Sequence, residues 1–397
     1  MSAIFERGTR VPGIGQACKQ VATLGWLALL PGLVVLYVVM SIRNGHAAWA
    51  IDFNGNLRFP AQEILRGDSP YHPDELVRVR AAVAAGHSPI SYQHGVFPTY
   101  PAPGLLLGVP FAALPAMLAE WLWVGCMLLA GALALRLAGV RDWRVYAAAA
   151  TAPPVVCSLF FGAVDLLLML GLAACWRWRE HAGKAGAALG GIIAIKLIAL
   201  PLVFWLVATR RYAAAAVSLV TAAGLAALSW ALIGFHGVAG YPHLLSLLTD
   251  VESTRGFSGA SFARAFGAGA GTAALVPYAA GVCVVAAIWI VARRGPQADA
   301  ALFLLGVLAA LAFSPIVWQH SLALLLVPVA VLRPRFGVVW SLPVLFWLMP
   351  DTSGLVSISS LVLCAVLLSG ICALALSSRL RPRGGPSSRP QATVTLA

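Results

Sequence analysis

IDFNGNLRFPAQEILRGDSPY, residues 51–71, is the stretch whose reading sets how the rest of the chain folds. It follows closely on an apolar segment, Val21 to Ser41, and its second residue is a carboxylate, Asp52. Asn56 to Arg66 has the character of a short surface helix ending at Gly67, and a Gly67-Asp68-Ser69-Pro70-Tyr71 turn follows. A carboxylate this near an apolar span lies at the membrane–water boundary. There it can take a proton from an attacking hydroxyl, a step typically contributing about 10²–10⁴-fold to a rate. A solvated loop acid is the alternative for the same residue. The remaining apolar segments are expected to surround Asp52 with a pocket open to lipid.

Composition supports a membrane setting. Of the 397 residues 60% are hydrophobic and 10% charged, and the mean hydropathy is +0.86. A soluble chain carries about 25% charged residues, so the expected class is an all-α polytopic membrane protein. At about 20 apolar residues per crossing, about 12 transmembrane or re-entrant helices are expected. The net charge of +13 would suggest nucleic acid in a soluble chain. Here the cations stand at segment ends, at Arg210-Arg211, Arg293-Arg294, Arg333, Arg335, Arg379, Arg381, Arg383 and Arg389. That is the positive-inside distribution of cytoplasmic loops, without the basic or aromatic platform that nucleic acid requires. Six of the seven cysteines (Cys126, Cys157, Cys175, Cys283, Cys364, Cys372) fall in apolar segments and read as small core residues. Their spacing suggests neither a disulfide framework nor a metal site.

In chain order, residues 1–20 form a basic cytoplasmic N-terminus and Val21–Ser41 a retained first helix. Residues 42–100 form a large first extracytoplasmic loop, kept irregular by Pro70, Pro89, Pro98, Pro101 and Pro103. A loop this long with such ordered signals is usually functional. Further on, Tyr212 to about Phe235 runs outward and 236–270 form a second extracytoplasmic loop. Segments near 271–292, 299–314, 321–332, 336–350 and 354–376 then alternate so that every basic pair lands inside. Residues 21–376 thus make one membrane-embedded domain, and 377–397 a disordered basic cytoplasmic tail. Residues 101–211 allow two topologies. Simple alternation gives segments near 102–117, 119–138, 145–161, 164–178 and 185–208, but places Arg141, Arg144, Arg177, Arg179 and Lys184 outside. Re-entrant pieces instead keep those cations inside and turn the chain at Gly162 and Lys196 toward the outer face. Broken backbone at membrane depth is tolerated where it lines a cavity, and broken helices often mark a binding site.

Several residues besides Asp52 could carry chemistry. Lys196 stands inside an apolar run, where a cation costs roughly 2.5–3.5 kcal/mol at the helix centre and must pair or line a pathway. Asp165 heads another segment, as a functional carboxylate or as a helix cap. His320 follows Ser314-Pro315-Ile316-Val317-Trp318-Gln319 at an outer turn and could bind phosphate or share a proton; Trp318 alone would be an interfacial anchor. The second loop offers Asp250, Glu252, Arg255 and Arg264, and an arginine there, Arg264, could hold a phosphate. Tyr71, Tyr92 and Tyr100 could stack on a sugar or sit in the headgroup belt. The sequence carries no phosphate loop, His/Cys cluster or nucleotide fingerprint.

Taken together these pieces resemble glycosyltransferase family 87, the polyprenol-phosphate-dependent enzymes of the C-type superfamily. The resemblance lies in Asp52-Phe53 with Gly67-Asp68-Ser69-Pro70-Tyr71, in Tyr100-Pro101-Ala102-Pro103, and in the Gly162 to Asp165 turn. It continues in Gly190 with Lys196 and Pro201, and in Ser314-Pro315 with Trp318 and His320. It departs at Ala163, where the family's turn usually carries Gln. It implies a C-type glycosyltransferase fold and an inverting transfer of a sugar, most readily mannose. The donor would be a polyprenyl-phosphate sugar and the acceptor a glycolipid or glycan, at the extracytoplasmic face of a bacterial inner membrane. Asp52 would be the general base. Lys196, His320 and Arg264 would hold the donor phosphate, and Tyr71, Tyr100, Asp165 and Trp318 would line the pocket. No cofactor is expected beyond the lipid-linked sugar, which is a substrate, and the sequence names no divalent metal. A secondary transporter, with Lys196 and Asp165 as its coupling pair, and a catalytically degenerate envelope-assembly protein are the alternatives.

Overall fold

The computed structural model describes residues 49–71, 81, 98–252, 255–293, 295, 298–349 and 356–377. The N-terminal segment 1–20, the first helix 21–41, most of the first loop beyond Tyr71 (with Tyr92) and the tail beyond residue 377 lie outside the described residues. Among the described residues all regular structure is helical. Four helices are long and apolar enough to cross a membrane: Ala116–Leu137, Tyr212–Leu232, Ala270–Ala292 and Ile358–Leu376. The pair Trp143–Thr151 and Pro153–Phe161, bent by 63°, makes a fifth if it counts as one span. Its bend has a local cause, because Ala152 precedes a proline and is extended, at ψ 131°. The other apolar helices are shorter.

The pairing of helix ends defines two ends of the molecule. Helix Asp165–Arg177 lies antiparallel to Ala182–Ile195, with Gly171 against Ile192 and Lys196 beside Asp165. At the far end Arg179 and Arg211 bind Asp299 at 3.0 and 2.9 Å, and Arg211 also binds Glu180 at 2.7 Å. Asp142 there accepts from Arg144 at 2.9 Å and from the Phe336 amide at 3.0 Å. Helix Asp165–Arg177 has 13 residues, and at 1.5 Å per residue it holds these two ends about 20 Å apart.

Two consequences follow for residues 101–211. The segment 185–208 of the simple alternation is two arms. Lys196 is extended (φ −150°, ψ 116°) and ends helix Ala182–Ile195; the 3-10 turn Leu197–Leu202 and helix Val203–Ala208 then lead back. The Glu180–Arg211 pair closes the two arms, leaving Lys196 at the apex. Helix Tyr212–Leu232 runs parallel to the first arm, with Gly186 against Val217 and Gly190 against the Ser218 carbonyl and Thr221, small residues that let the backbones approach. The segment near 102–117 is likewise no single helix. Ala102–Ala112 is an interrupted piece whose Gly108 packs on the Leu57 carbonyl and whose Ala112 carbonyl accepts from Gln62 at 2.9 Å. It lies beneath the helix of residues 51–66, at the end opposite the basic pairs. Arg144, Arg179 and Arg211 therefore share one end, and Gly162 and Lys196 the other, as in the re-entrant topology.

The long helices leave broad apolar faces uncovered, including Met117, Leu129, Val220, Leu228, Leu275 and Ile290. Faces of this kind fit contact with lipid.

Candidate active site

The segment bearing Asp52 is held from three sides. Ala50, in the left-handed region at φ 51°, starts the short helix Ile51–Phe53, and its amide donates to the Phe160 carbonyl at 2.8 Å. Phe53 stacks on Trp123 at 5.2 Å and meets Phe111 edge-on at 5.6 Å. Trp123 in turn donates to the Gly162 carbonyl at 2.7 Å. Gly162 has φ 70°, and a Cβ there would stand 2.7 Å from that of Phe53. The turn before Asp165 and the segment carrying Asp52 thus touch where a side chain has no room.

That contact sets Asp52 beside a buried charge cluster. Asp165, fully buried, accepts from Lys196 Nζ at 3.3 Å and faces His320 Nε2 at 3.6 Å. Ser321, next to His320, lies beside it. The Lys196 ammonium lies 5.7 Å from the centre of the Tyr100 ring. His320 is the second residue of the 3-10 helix Gln319–Leu325 and is itself buried. Among the described residues none holds the Asp52 carboxylate by an ion pair or hydrogen bond. Asp52 is half-buried, and the loss of water around its carboxyl pushes it up to about 7; the Lys196 charge pulls it down and that of Asp165 pushes it further up. A carboxylate poised there is suited to accept a proton near neutral pH.

Behind this cluster sits an aromatic layer. Tyr71 donates to the Tyr100 carbonyl at 2.8 Å, stacks on Trp230 at 5.2 Å and meets Tyr241 at 5.7 Å. Tyr241 donates to the Thr99 carbonyl at 2.9 Å, and Asn56 accepts from the Thr99 amide and hydroxyl at 2.7 and 2.9 Å. Tyr71 therefore fixes the backbone that carries Tyr100. Arg264, on helix Gly259–Ala265, donates to the Ala268 carbonyl at 3.4 Å, and Trp318 is half-buried just before His320. These two stand outside the contacts that join Asp165, Lys196, His320 and Tyr100.

Three groups at this end escape the sequence reading: Asn56, Ser321 and Glu120. Glu120 carried a usable signal, because an acid inside an apolar run calls for a partner as much as Lys196 does. Asn56 and Ser321 show their roles only through tertiary neighbours. Among the described residues no group of three or more His, Cys, Asp or Glu is placed to hold a metal. The cluster presents an ammonium and an imidazole around one carboxylate, with a second carboxylate nearby, which suits an anion beside a proton acceptor.

A family model described as glycosyltransferase family 87 matches residues 99–315, more than half of the chain. The matched range contains Tyr100, Asp165, Lys196 and Arg264; Asp52 precedes it, and Trp318 and His320 follow it. No curated protein and no solved structure matches the chain.

Proposed function

The chain belongs to glycosyltransferase family 87 and is a glycosyltransferase, and on that premise we propose that it moves a sugar from a polyprenyl-phosphate donor. The sugar is mannose, as the resemblance implies, and the acceptor is a hydroxyl of a glycolipid or glycan. Asp52 takes the proton of that hydroxyl as its oxygen attacks the anomeric carbon. The bond from that carbon to the phosphate oxygen breaks, the lipid phosphate leaves with the electron pair, and the configuration inverts. Lys196 balances the charge of the departing phosphate and His320 contacts it through its imidazole; Arg264, which stands outside that cluster, is a more remote phosphate contact. Tyr71, Tyr100, Asp165 and Trp318 shape the pocket.

The observation that carries this reading is the meeting of Asp52 with the Lys196–Asp165–His320 cluster, four residues brought from well-separated parts of the sequence. A proton acceptor and a cation at one membrane boundary are what an activated lipid phosphate needs, and the sugar arrives already activated, so no nucleotide site is required. The basic end fits the cytoplasm by the positive-inside rule. The reaction then belongs on the extracytoplasmic side of the plasma membrane, with about twelve crossings in a C-type fold and both termini inside.

Incubating membranes that carry the protein with labelled polyprenyl-phospho-mannose and identifying the product tests this. A mannosylated lipid or glycan is expected. Transfer from a nucleotide sugar, with none from any polyprenyl-phospho-sugar, contradicts it. The Lys196–Asp165 pair is also what a coupled transporter would carry; substrate uptake into proteoliposomes free of donor lipid is the outcome that favours that reading.

A further inference from the structure

Glu120 lies on the apolar helix Ala116–Leu137, past the first turn, where the helix dipole no longer accounts for an acid. Among the described residues it meets no cation. Its two oxygens each accept one bond from the first loop, from Trp49 Nε1 at 3.1 Å and from Asn54 Nδ2 at 2.8 Å. Positions 49 and 54 bracket Asp52. The Trp49 ring is further wedged between Trp121 at 5.1 Å and Phe160 at 5.8 Å. The same membrane helix supplies Trp123, which stacks on Phe53 and bonds the Gly162 carbonyl.

We propose that Glu120 is a positioning residue for the transfer, clamping the Asp52 segment to the membrane helix through Trp49 and Asn54. The inference rests on Asp52 being the base. The chain around Asp52 is one short helix entered through a left-handed residue and left through the π-helical turn Asn54–Arg58. The turn runs on into helix Phe59–Arg66, so Asp52 stands in the first turn of one continuous helix, and the contacts of that first turn with the membrane helix set its place relative to Lys196. One carboxylate accepting on both sides of position 52 fixes depth and rotation together. Glu120 also settles the Asn54 amide, since a carboxylate can only accept and must face the NH₂ group.

The test compares Glu120→Gln, Glu120→Ala, Trp49→Phe and Asn54→Ala with the wild type in native membranes, at matched protein levels. Labelled polyprenyl-phospho-mannose is the donor. Each variant is expected to lose about tenfold or more in kcat, since small misplacements of a catalytic group cost up to about 10²-fold, while donor KM stays within about twofold. The pH midpoint of the rate should move as well, because the burial of Asp52 and its distance from Lys196 set it. The Glu120→Ala, Asn54→Ala double variant should be little worse than Glu120→Ala alone, one clamp having been removed twice. Trp49→Phe and Asn54→Ala keep the test open if the helix variants do not accumulate. Wild-type kcat and an unmoved pH midpoint in these variants, beside an inactive Asp52→Asn, overturn the clamp alone. An active Asp52→Asn overturns the base assignment and the clamp with it.

Discussion

At the scale of the residue, Asp52 is governed by two opposing influences on its proton. Burial and the Asp165 charge favour the neutral acid, and Lys196 favours the carboxylate, leaving Asp52 at about 7. As the proposed general base Asp52 works ionised, so the rate should fall about tenfold per pH unit below that value and level off above it. The sign of each influence gives two tests. Lys196→Met removes the cation that lowers the value and should shift the midpoint to higher pH. Asp165→Asn removes a like charge and should shift it to lower pH; movement in the opposite directions contradicts the arrangement. Lys196→Ala should also weaken use of the lipid-phosphate donor by roughly tenfold to hundredfold, the worth of a charge-assisted hydrogen bond. Unchanged donor kinetics with reduced protein abundance would make the lysine structural. Lys196 was legible in the sequence because a cation stands out in an apolar run. Glu120 carries the same signal, an acid in an apolar run, but stands beside the boundary between two apolar segments and there resembles a segment end.

At the scale of the element, the site depends on turns that leave no room for a side chain. Gly162→Ala puts a Cβ 2.7 Å from that of Phe53 and asks alanine to hold φ 70°. Left-handed strain and overpacking together should cost about 1–3 kcal/mol, read as a lowered thermal midpoint in detergent with a matching loss of transfer. A midpoint equal to wild type contradicts the packing described. The breaks themselves were visible in Pro153-Pro154 and Pro201. What each break does was not. One bends a helix by 63° and lets it continue, while the other lies on the returning arm of a hairpin with Lys196 at its apex. The difference comes from Glu180 meeting Arg211, a contact no local propensity encodes.

At the scale of the molecule, the basic ion pairs gather at one end and the candidate site at the other, so topology and chemistry are one question. On a background without the seven native cysteines, a cysteine at Asp68 should react with an impermeant maleimide in intact cells. Cysteines at Arg141 and Arg210 should react only after permeabilisation; labelling of Arg141 from outside contradicts the re-entrant topology. The all-helical membrane class was readable from hydropathy and charge. The number of crossings was not, since helices such as Ala182–Ile195 and Asp299–Phe313 fall short of a full span by length, and their direction is fixed by their partners. The central claim is that this fold delivers one carboxylate, from outside the long spans, to a cation at a chain break so that sugar can leave a lipid phosphate. Its most direct test is transfer from labelled polyprenyl-phospho-mannose by Asp52→Asn against wild type, at equal amounts in the same membranes. A loss of at least about a hundredfold is expected, and turnover near that of the wild type would contradict the account.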